Sequence, residues 1–420
     1  MSLRNRELAN LIVVGMLTAI GFASVYIARQ AVVSTGSLAY AGFFFALYLA
    51  AHLVSRLTVP NADPYLLPMA ALLTAVGLTE IYRLDPTDAF RQGLWIVVAV
   101  GALAATLFLL SRDYRRLESY KYLFGLAAIG LLVLPALPVF GQSINGARLW
   151  IHFGSLQFQP GEIAKVLLIV FLAGYLREKR EVLAQGRLKD FGPLLVIWGG
   201  AMLVLVETND LGSALLYFGI FLAMLYVATG RLAYVLIGGL LFVAGAAAAY
   251  KLIGHVRTRV EIWIDPWPHI HTSGYQITQS LYSISNGGFG GAGLGKGTFT
   301  TTNGATLIPS ANTDFIYSAI AQELGLVGAA ALLLVFMLFI ARGMKVAMLA
   351  DDGFSKLLAA GLTFSFALQT FIIVGGILRM IPLTGVTLPF VSYGGSSVVA
   401  NFVLLAGLLL ISNRSNAPAR

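Results

Sequence analysis

Residues 315–341 read FIYSAIAQELGLVGAAALLLVFMLFIA, and Glu323 is the one charged side chain among them. This stretch is longer than the roughly 20 mostly apolar residues that a membrane-spanning helix needs. The same criterion predicts about twelve spans along the chain. They cover residues 9–26, 38–57, 65–81, 94–110, 122–140, 161–176, 192–206, 211–228, 232–252, 315–341, 357–378 and 388–411. The predicted fold class is therefore all-α, a polytopic membrane helix bundle.

The composition supports the same fold class. Hydrophobic residues make up 58% of the 420 residues and charged residues only 11%, whereas soluble globular domains carry about 25% charged residues. So few charges cannot cover one large soluble core, which is the alternative class. The net charge of +9 would suggest nucleic acid in a soluble protein, but these cations follow the loops, and we predict no nucleic-acid partner. The chain has no cysteine, which excludes disulfides and cysteine nucleophiles.

The positions of Lys and Arg orient the predicted bundle, because cytoplasmic loops are enriched in these cations. Cations cluster at 112–121, 177–189, 342–356 and 414–420, which places both termini in the cytoplasm. No small-residue cleavage site stands out after the first apolar stretch, so we interpret it as a retained span and not as a signal peptide. Two outer segments, 141–160 and 253–313, are then unusually long, and loops of such length are usually functional or disordered.

Two opposite charges begin the sixth predicted span. Glu162 and Lys165 are three residues apart, so they share one helical face. Charged groups at membrane depth are costly and are functional candidates by default. One interpretation is a structural ion pair at the interface, and the other is the charged wall of a substrate cavity. Arg148, in the preceding outer segment, fits either arrangement.

Asp314 lies where the outer segment 253–313 enters the tenth predicted span. A carboxylate at a helix start is favoured by the helix dipole, so simple N-capping is one interpretation. The alternative is a general base that acts on a sugar hydroxyl at the water–lipid boundary. Glu323 lies deeper in the same span and is a candidate for a structural role.

A glycine cluster at 287–297 reads GGFGGAGLGKG. Its glycine and lysine spacing matches a P-loop, but Gly297 replaces the required Ser or Thr and the segment is predicted to face outside, so a P-loop is excluded. The cluster is either a backbone N–H cradle for a diphosphate beside Lys296 or a plain flexible loop. His269 and His271 are the one close histidine pair, and no acidic cluster at metal-ligand spacing accompanies them.

Residues 382–397 read PLTGVTLPFVSYGGSS, a stretch that breaks one helix and starts another. Irregular backbone at membrane depth persists only where protein or a cavity satisfies its polar groups. The stretch is therefore either the rim of a pocket or an ordinary re-entrant turn.

Several motifs, in this order along most of the chain, resemble the SEDS (shape, elongation, division, sporulation) family of RodA/FtsW type. They match the family patterns GARRW-I, QPSE-x-x-K, DLGTA, GYQ-x-x-QS, GKG, HTDF and P-x-TG-x-x-LPF-x-SYGGSS. The corresponding segments are NGARLWI at 145–151, QPGEIAK at 159–165, DLGSA at 210–214, GYQITQS at 274–280, GKG at 295–297, NTDF at 312–315 and the 382–397 stretch.

The resemblance, which is strongest to the actinobacterial type, implies a domain organisation. Family members have a core of about ten spans, so residues 61–412 would form the SEDS core, with the large extracellular loop 253–313. Residues 1–60 would add two N-terminal transmembrane helices, and 413–420 a short cytoplasmic tail.

The resemblance also implies a function. The family polymerises lipid II into glycan strands on the outer face of the bacterial cell membrane and releases undecaprenyl diphosphate. Its invariant loop aspartate matches Asp314, the expected catalytic residue, which would deprotonate the acceptor hydroxyl or hold a divalent cation such as Mg or Mn. The expected partners are lipid II, membrane lipids and a class B penicillin-binding transpeptidase. The residues expected to bind substrate are Arg148, Glu162, Lys165, Gln276, Ser280, Lys296, Thr313, Ser392, Ser396 and Ser397.

Among these residues, Arg148, Lys165 and Lys296 are expected to stabilise the leaving diphosphate, where charge develops. The chain departs from the family pattern at Asn312, where the family has His, and at Gly161, where it has Ser. Two other functions compete with the transferase. One is a lipid II flippase, which needs no base at the outer mouth, and the other is a non-catalytic scaffold for the transpeptidase.

Overall fold

The computed structural model of the chain describes residues 2–30, 35–137, 141–144, 147–153, 156–185, 192–298 and 307–417. Parts of several predictions lie outside these residues. They are the end of the fifth span (138–140), Asn145 and Gly146 of the first motif, residues 299–306 of the long outer segment, and 418–420 of the predicted tail.

The described chain is mainly helical. The long helices are α1 (Leu3–Gln30), α2 (Thr35–Thr58), α3 (Leu66–Leu84), α4 (Pro86–Leu110), α6 (Lys121–Val133), α7 (Pro160–Glu178), α9 (Gly192–Glu207), α10 (Leu211–Thr229), α11 (Leu232–Leu252), α14 (Ile316–Leu349), α15 (Gly353–Ile377) and α16 (Gly395–Ser415). The shorter helices are α5 (Arg116–Ser119), α8 (Arg180–Ala184), α12 (Gly254–Ile264) and α13 (Tyr275–Gly287). Strands β1 (Gly141–Ile144), β2 (Ala147–Phe153) and β3 (Leu156–Phe158) form one antiparallel sheet in that order.

Every predicted span overlaps one of the long helices, although the fifth, 122–140, extends past the end of α6 at Val133. In the described residues, nine helices are long and apolar enough to cross a membrane, and the stretches Lys121–Ala136 and Gly192–Glu207 are shorter apolar helices. The chain is therefore a multi-pass helical membrane protein. Two details differ from prediction. The outer segment 141–160 contains the small sheet, and the last helix begins at Gly395 and not at 388, because Phe390 has a left-handed φ of 64° and Gly394 an extended φ of 168°, neither of which is helical.

The interior of the bundle is built around α15 and α16. Helix α15 packs against α7, α10 and α14, and α16 packs against α4 and α7. In α16, 83% of the most apolar window is buried, whereas in α11 only 6% is. A helix that is apolar all round lies either in a core or in a membrane, so α16 belongs to the protein core and α11 faces lipid.

The connection between α15 and α16, residues 378–394, is held against α3 and α4. A Cβ atom added at Gly77 of α3 would collide with the backbone of Val391, so this close approach requires glycine. On α4, Gln92 donates from Nε2 to the carbonyl oxygen of Ser392 at 3.3 Å and accepts from the N–H of Gly394 at 3.1 Å. These contacts satisfy irregular backbone at membrane depth, which is the condition for its survival there.

Candidate functional site

A cavity of about 420 Å³ opens beneath α12. Its walls are α12, the start of α13, the segment before α14, and the α15–α16 connection. Among the described residues that line it, Asp314 is the one carboxylate. The other ionisable or amide side chains in the wall are His255, Arg259, Gln276 and Arg379. The cavity is therefore polar on several sides and contains the residue that the sequence analysis placed at the centre of the chemistry.

The backbone around Asp314 turns sharply before α14 begins. Ser310 has a positive φ of 62°, and its carbonyl oxygen accepts from the N–H groups of Thr313 and Asp314, each at 3.1 Å. The cap of α14 is Phe315, which forms no side-chain cap hydrogen bond. The N-capping interpretation of Asp314 is therefore wrong. Within the described part of the chain its carboxylate accepts no hydrogen bond and faces the cavity.

Arg259 of α12 is the cation that acts on Asp314. Burial raises the pKa of Asp314 to about 6, and the positive charge of Arg259 opposes that rise. The Arg259 Nη1 atom donates to the carbonyl oxygens of Leu383 and Thr384 at 3.2 and 3.0 Å. Gly385 follows with φ of 77°. A Cβ atom there would lie 3.6 Å from Asp314 Oδ2 and 4.0 Å from Arg259 Nη2, so this glycine lies between the two charges.

A second arginine joins α12 to the α15–α16 connection. Arg379 has φ of 58°, and its Nη2 atom donates to the carbonyl oxygens of Trp263 and Ile264 at 2.9 and 2.8 Å. In return, Trp263 Nε1 donates to the carbonyl oxygen of Arg379 at 2.9 Å. Since α12 itself has no buried residue, these polar contacts and those of Arg259 fix its position over the cavity.

The two predicted substrate-binding residues of α13 face in different directions. Gln276 lines the cavity, and its Nε2 atom donates to the carbonyl oxygen of Pro309 at 3.1 Å. Ser280 is fully buried, and its Oγ lies 2.5 Å from Ser318 Oγ on α14. The structure therefore brings Gln276 to Asp314 and places Ser280 in the contact between two helices.

Glu162 and Lys165 form the predicted pair, with Lys165 Nζ 2.7 Å from Glu162 Oε2. Lys165 is only 2% exposed and also donates to Gln369 Oε1 at 2.7 Å. Neither residue lines the cavity described above. This geometry agrees with the structural ion pair and does not supply the charged wall of this cavity.

Asp210, in the DLGSA motif, interacts electrostatically with both Glu162 and the cavity residue Arg259. Its carboxylate caps α10 by accepting from the N–H of Ser213 at 3.0 Å. Burial raises the pKa of Asp210, the contacts with Ser213 oppose this, Glu162 raises it further, and Arg259 lowers it. Arg259 is therefore the cation to which both Asp210 and Asp314 respond.

The polar residues of the last motif are engaged within the protein. Ser392 donates from Oγ to the carbonyl oxygen of Thr313 at 2.6 Å and accepts from the N–H of Leu388 at 2.8 Å. Ser396 Oγ accepts from the N–H of Gln159 at 2.6 Å, and Ser397 Oγ accepts from Thr387 Oγ1 at 2.8 Å. Ser392, Ser396 and Ser397 are buried. They hold the segment before α14 and the α15–α16 connection in place around the cavity.

The glycine cluster is bound by a carboxylate of the chain itself. The N–H groups of Gly295 and Gly297 donate to Glu323 at 2.6 and 3.1 Å, and Glu323 Oε1 lies 2.5 Å from Arg83 Nε. The predicted cradle for a diphosphate is therefore occupied by Glu323, and in this respect the prediction is wrong. Lys296 is exposed and is not among the cavity residues.

Two further positions bear on the predictions. Arg148 is exposed on β2 and does not line the cavity. Asn312, at the position of the family histidine, donates from Nδ2 to Asp88 Oδ2 at 2.7 Å, so it contacts α4 and not Asp314. The residue that tunes Asp314 is Arg259, which the sequence analysis missed. The available signal was the pair Arg257 and Arg259 in the predicted outer segment 253–313, where cations are usually scarcer than in cytoplasmic loops.

Comparison with known proteins gives concordant matches. Residues 64–417 match the FtsW/RodA/SpoVE family, described as cell cycle protein. The peptidoglycan glycosyltransferase RodA of Mycobacterium leprae (strain TN) is 42% identical over 91% of this chain and 84% of that protein. RodA of Mycobacterium tuberculosis (strain ATCC 25618 / H37Rv) is 41% identical over 99% of this chain and 92% of that protein.

A solved structure supports the same assignment. It is described as "Structural coordination of polymerization and crosslinking by a peptidoglycan synthase complex" and aligns with a TM-score of 0.68 and 28% identity. The alignment covers 84% of this chain and 98% of that one. The family match spans most of the chain, from just before α3 to just past the end of α16. The chain therefore belongs to the FtsW/RodA/SpoVE family of cell cycle proteins.

Proposed function

We propose that this chain is a peptidoglycan glycosyltransferase that polymerises lipid II on the outer face of the bacterial plasma membrane. The relatives that support this carry the name peptidoglycan glycosyltransferase RodA. The observation that carries the proposal is the Asp314 carboxylate, which faces a cavity without a hydrogen-bond donor from the described residues and has its pKa raised to about 6. A general base works best with a pKa near the operating pH.

The proposed reaction is a glycosyl transfer. Asp314 takes the proton of the acceptor sugar hydroxyl, and the hydroxyl oxygen forms a bond to the anomeric carbon of the donor. The bond between that carbon and the diphosphate oxygen breaks, and its electron pair leaves with undecaprenyl diphosphate. A cavity of about 420 Å³ lies in the usual range for small-molecule sites, about 300–1,000 Å³. The lipid chains of the substrates would remain in the membrane.

A resident divalent cation fits this cavity poorly. Its wall offers one carboxylate, Asp314, beside the guanidinium groups of Arg259 and Arg379, whereas Mg and Mn favour several oxygen ligands. In the described part of the chain no group of three or more acidic or histidine side chains is arranged to hold a metal. No step of the proposed reaction therefore uses a bound metal. An ion that arrives with the diphosphate would be part of the substrate.

The proposed partner is a class B penicillin-binding transpeptidase, which would crosslink the strands that this chain makes. The support is the similarity to a chain from a peptidoglycan synthase complex whose description couples polymerisation to crosslinking. Lipid II and the surrounding membrane lipids are the other proposed partners. The RodA relatives favour a role in cell elongation over one in division.

The test uses the full chain, purified alone and with a partner transpeptidase, and supplied with labelled lipid II. We expect glycan polymer from the native chain and none from Asp314→Ala. Glu261→Ala is the matched control, because Glu261 is an exposed acid on α12 that does not line the cavity. Transbilayer movement of lipid II without polymer would favour the flippase. Binding without movement or polymer would favour the scaffold.

A further inference from the structure

Two arginines of the cavity wall keep donors that the protein does not use. Arg259 donates from Nη1 to the carbonyl oxygens of residues 383 and 384. Arg379 donates from Nε and Nη2 to the carbonyl oxygens of residues 263 and 264. Within the described chain, Arg259 Nε and Nη2 and Arg379 Nη1 have no hydrogen-bond acceptor, and neither side chain is in contact with a carboxylate. Carbonyl oxygens orient both guanidinium groups but do not neutralise them.

The three cations expected to bind the leaving group are placed differently. Lys165 is buried and contacts both Glu162 and Gln369. Lys296 and Arg148 are exposed, on the glycine cluster and on β2, and neither lines the cavity that contains Asp314. The cations that do line it are Arg259 and Arg379, and His255 stands beside them with a pKa lowered by burial and by Arg259.

We propose that Arg259 and Arg379 form the subsite for the diphosphate of the lipid-linked substrate, in the cavity that Asp314 also lines. This inference rests on the proposed function. A planar guanidinium with free N–H donors matches phosphate oxygens and binds them with charge-assisted hydrogen bonds. The two arginines come from the two sides of the contact between α12 and the α15–α16 connection, so a bound diphosphate would bridge both sides.

The shared ligand chemistry is a polyprenyl diphosphate, which occurs both in lipid II and in the released undecaprenyl diphosphate. The experiment measures binding of each to the full chain in detergent, with undecaprenol as the probe that lacks the diphosphate. The lipid II arm uses Asp314→Asn as the parent, so that turnover does not consume the ligand. The variants are Arg259→Gln and Arg379→Gln, and thermal unfolding checks that each is folded.

The matched control is Arg257→Gln. Arg257 lies on the same helix, carries the same charge, donates outside the cavity to the carbonyl oxygen of Lys251, and lies over the ring of Tyr250. We expect Arg259→Gln to weaken binding of diphosphate ligands by about tenfold or more, since a lost charge-assisted hydrogen bond has that size. Undecaprenol binding should not change in either variant, and Arg257→Gln should bind all three ligands as the native chain does.

Each outcome has a defined meaning. Loss with both diphosphate ligands supports one subsite for substrate and product, and loss with lipid II alone supports a donor subsite. Unchanged binding of both by Arg259→Gln overturns the proposal, whether or not Arg379→Gln folds. The polymerisation assay separates this result from the proposed function. If the native chain makes polymer but the arginine variants bind both diphosphate ligands normally, the proposed function stands and the diphosphate subsite is wrong. If the native chain makes no polymer but binds diphosphate through Arg259, the subsite stands and the proposed function is wrong.

Discussion

Asp314 and Glu323 lie close together in sequence at the start of the same helix, yet their surroundings differ completely. Glu323 is 1% exposed, contacts Arg83, and accepts from the N–H groups of Gly295 and Gly297. Asp314 faces a cavity, has no hydrogen-bond donor among the described residues, and responds to Arg259 without a direct ion pair. The carboxylate of Glu323 therefore has its hydrogen-bond partners within the protein, whereas the carboxylate of Asp314 is available to a ligand.

The comparison separates structural from functional charge at membrane depth. A charged group there is a functional candidate by default, but a group whose bonds are all made within the protein has nothing left to offer a substrate. Lys165 behaves like Glu323, since Glu162 and Gln369 both accept from it. Arg259 behaves like Asp314. What distinguishes the two kinds of residue is the number of unused hydrogen-bonding atoms that face a cavity.

The largest expected effect concerns Asp314, the carboxylate that faces the cavity. Asp314→Asn should lower polymerisation of lipid II by roughly 10²–10⁴-fold, the usual contribution of a general base. The fold should be retained. Because the folded-state pKa lies above the ordinary value of 3.8, the stability contributed by this group is present below pH 3.8 and is lost as the pH rises through about 6. At pH 7 the variant should therefore melt at the same temperature as the native chain or higher.

The decisive readout is polymer formation together with thermal unfolding of the same sample. Glu261→Gln, on the exposed side of α12, should leave both unchanged. If Asp314→Asn lowered both activity and melting temperature, its loss of activity would be explained by unfolding. Asp314 would then be a structural residue like Glu323.

For Glu323, the carboxylate that is hydrogen-bonded within the protein, we expect substitution to lower stability. Glu323→Gln removes one member of a buried ion pair, which typically costs about 3 kcal/mol or more, and weakens the acceptor for two backbone N–H groups. The melting temperature should fall clearly, and activity should fall with it as the fold is lost. Asp351→Asn, at an exposed acid beyond α14, serves as the control and should change neither. A Glu323→Gln variant that is fully stable but inactive would place Glu323 in the chemistry.

A smaller effect concerns pH. The base must be deprotonated, so polymerisation by the native chain should rise as the pH increases through about 6. Arg259 stabilises the charged form of Asp314, so Arg259→Gln should raise that pKa and move the acid limb of the pH–rate profile to higher pH. Arg257→Gln should leave the limb in place. A limb that did not move in Arg259→Gln would show that Arg259 does not act on Asp314.

The sequence predicted much of this, and the limits have physical causes. Long apolar stretches locate the spans directly, and the order of motifs along the chain identified the family and singled out Asp314. The partners of polar groups could not be read in the same way, because they come from distant segments. Glu323 and the glycine cluster, or Lys165 and Gln369, meet only in the folded bundle. Arg259 was missed because its one signal, a cation in a predicted outer segment, was weak, and its contacts with residues 383 and 384 form only in the folded chain.

The smallest expected effect compares two residues of α13 that the sequence placed in one group. Gln276 lines the cavity, whereas Ser280 is buried against Ser318. Ser280→Ala should cost about 1 kcal/mol of stability, the net value of one neutral hydrogen bond, and leave KM for lipid II unchanged. Gln276→Ala should cost less stability than Ser280→Ala, because its hydrogen bond to Pro309 is exposed to water, and should raise KM roughly fivefold, since about 1 kcal/mol of binding is lost. Steady-state kinetics and thermal unfolding of both variants test this. A raised KM in Ser280→Ala alone would mean that burial does not separate binding residues from packing residues in this helix, and the rule drawn from Asp314 and Glu323 would not extend to it.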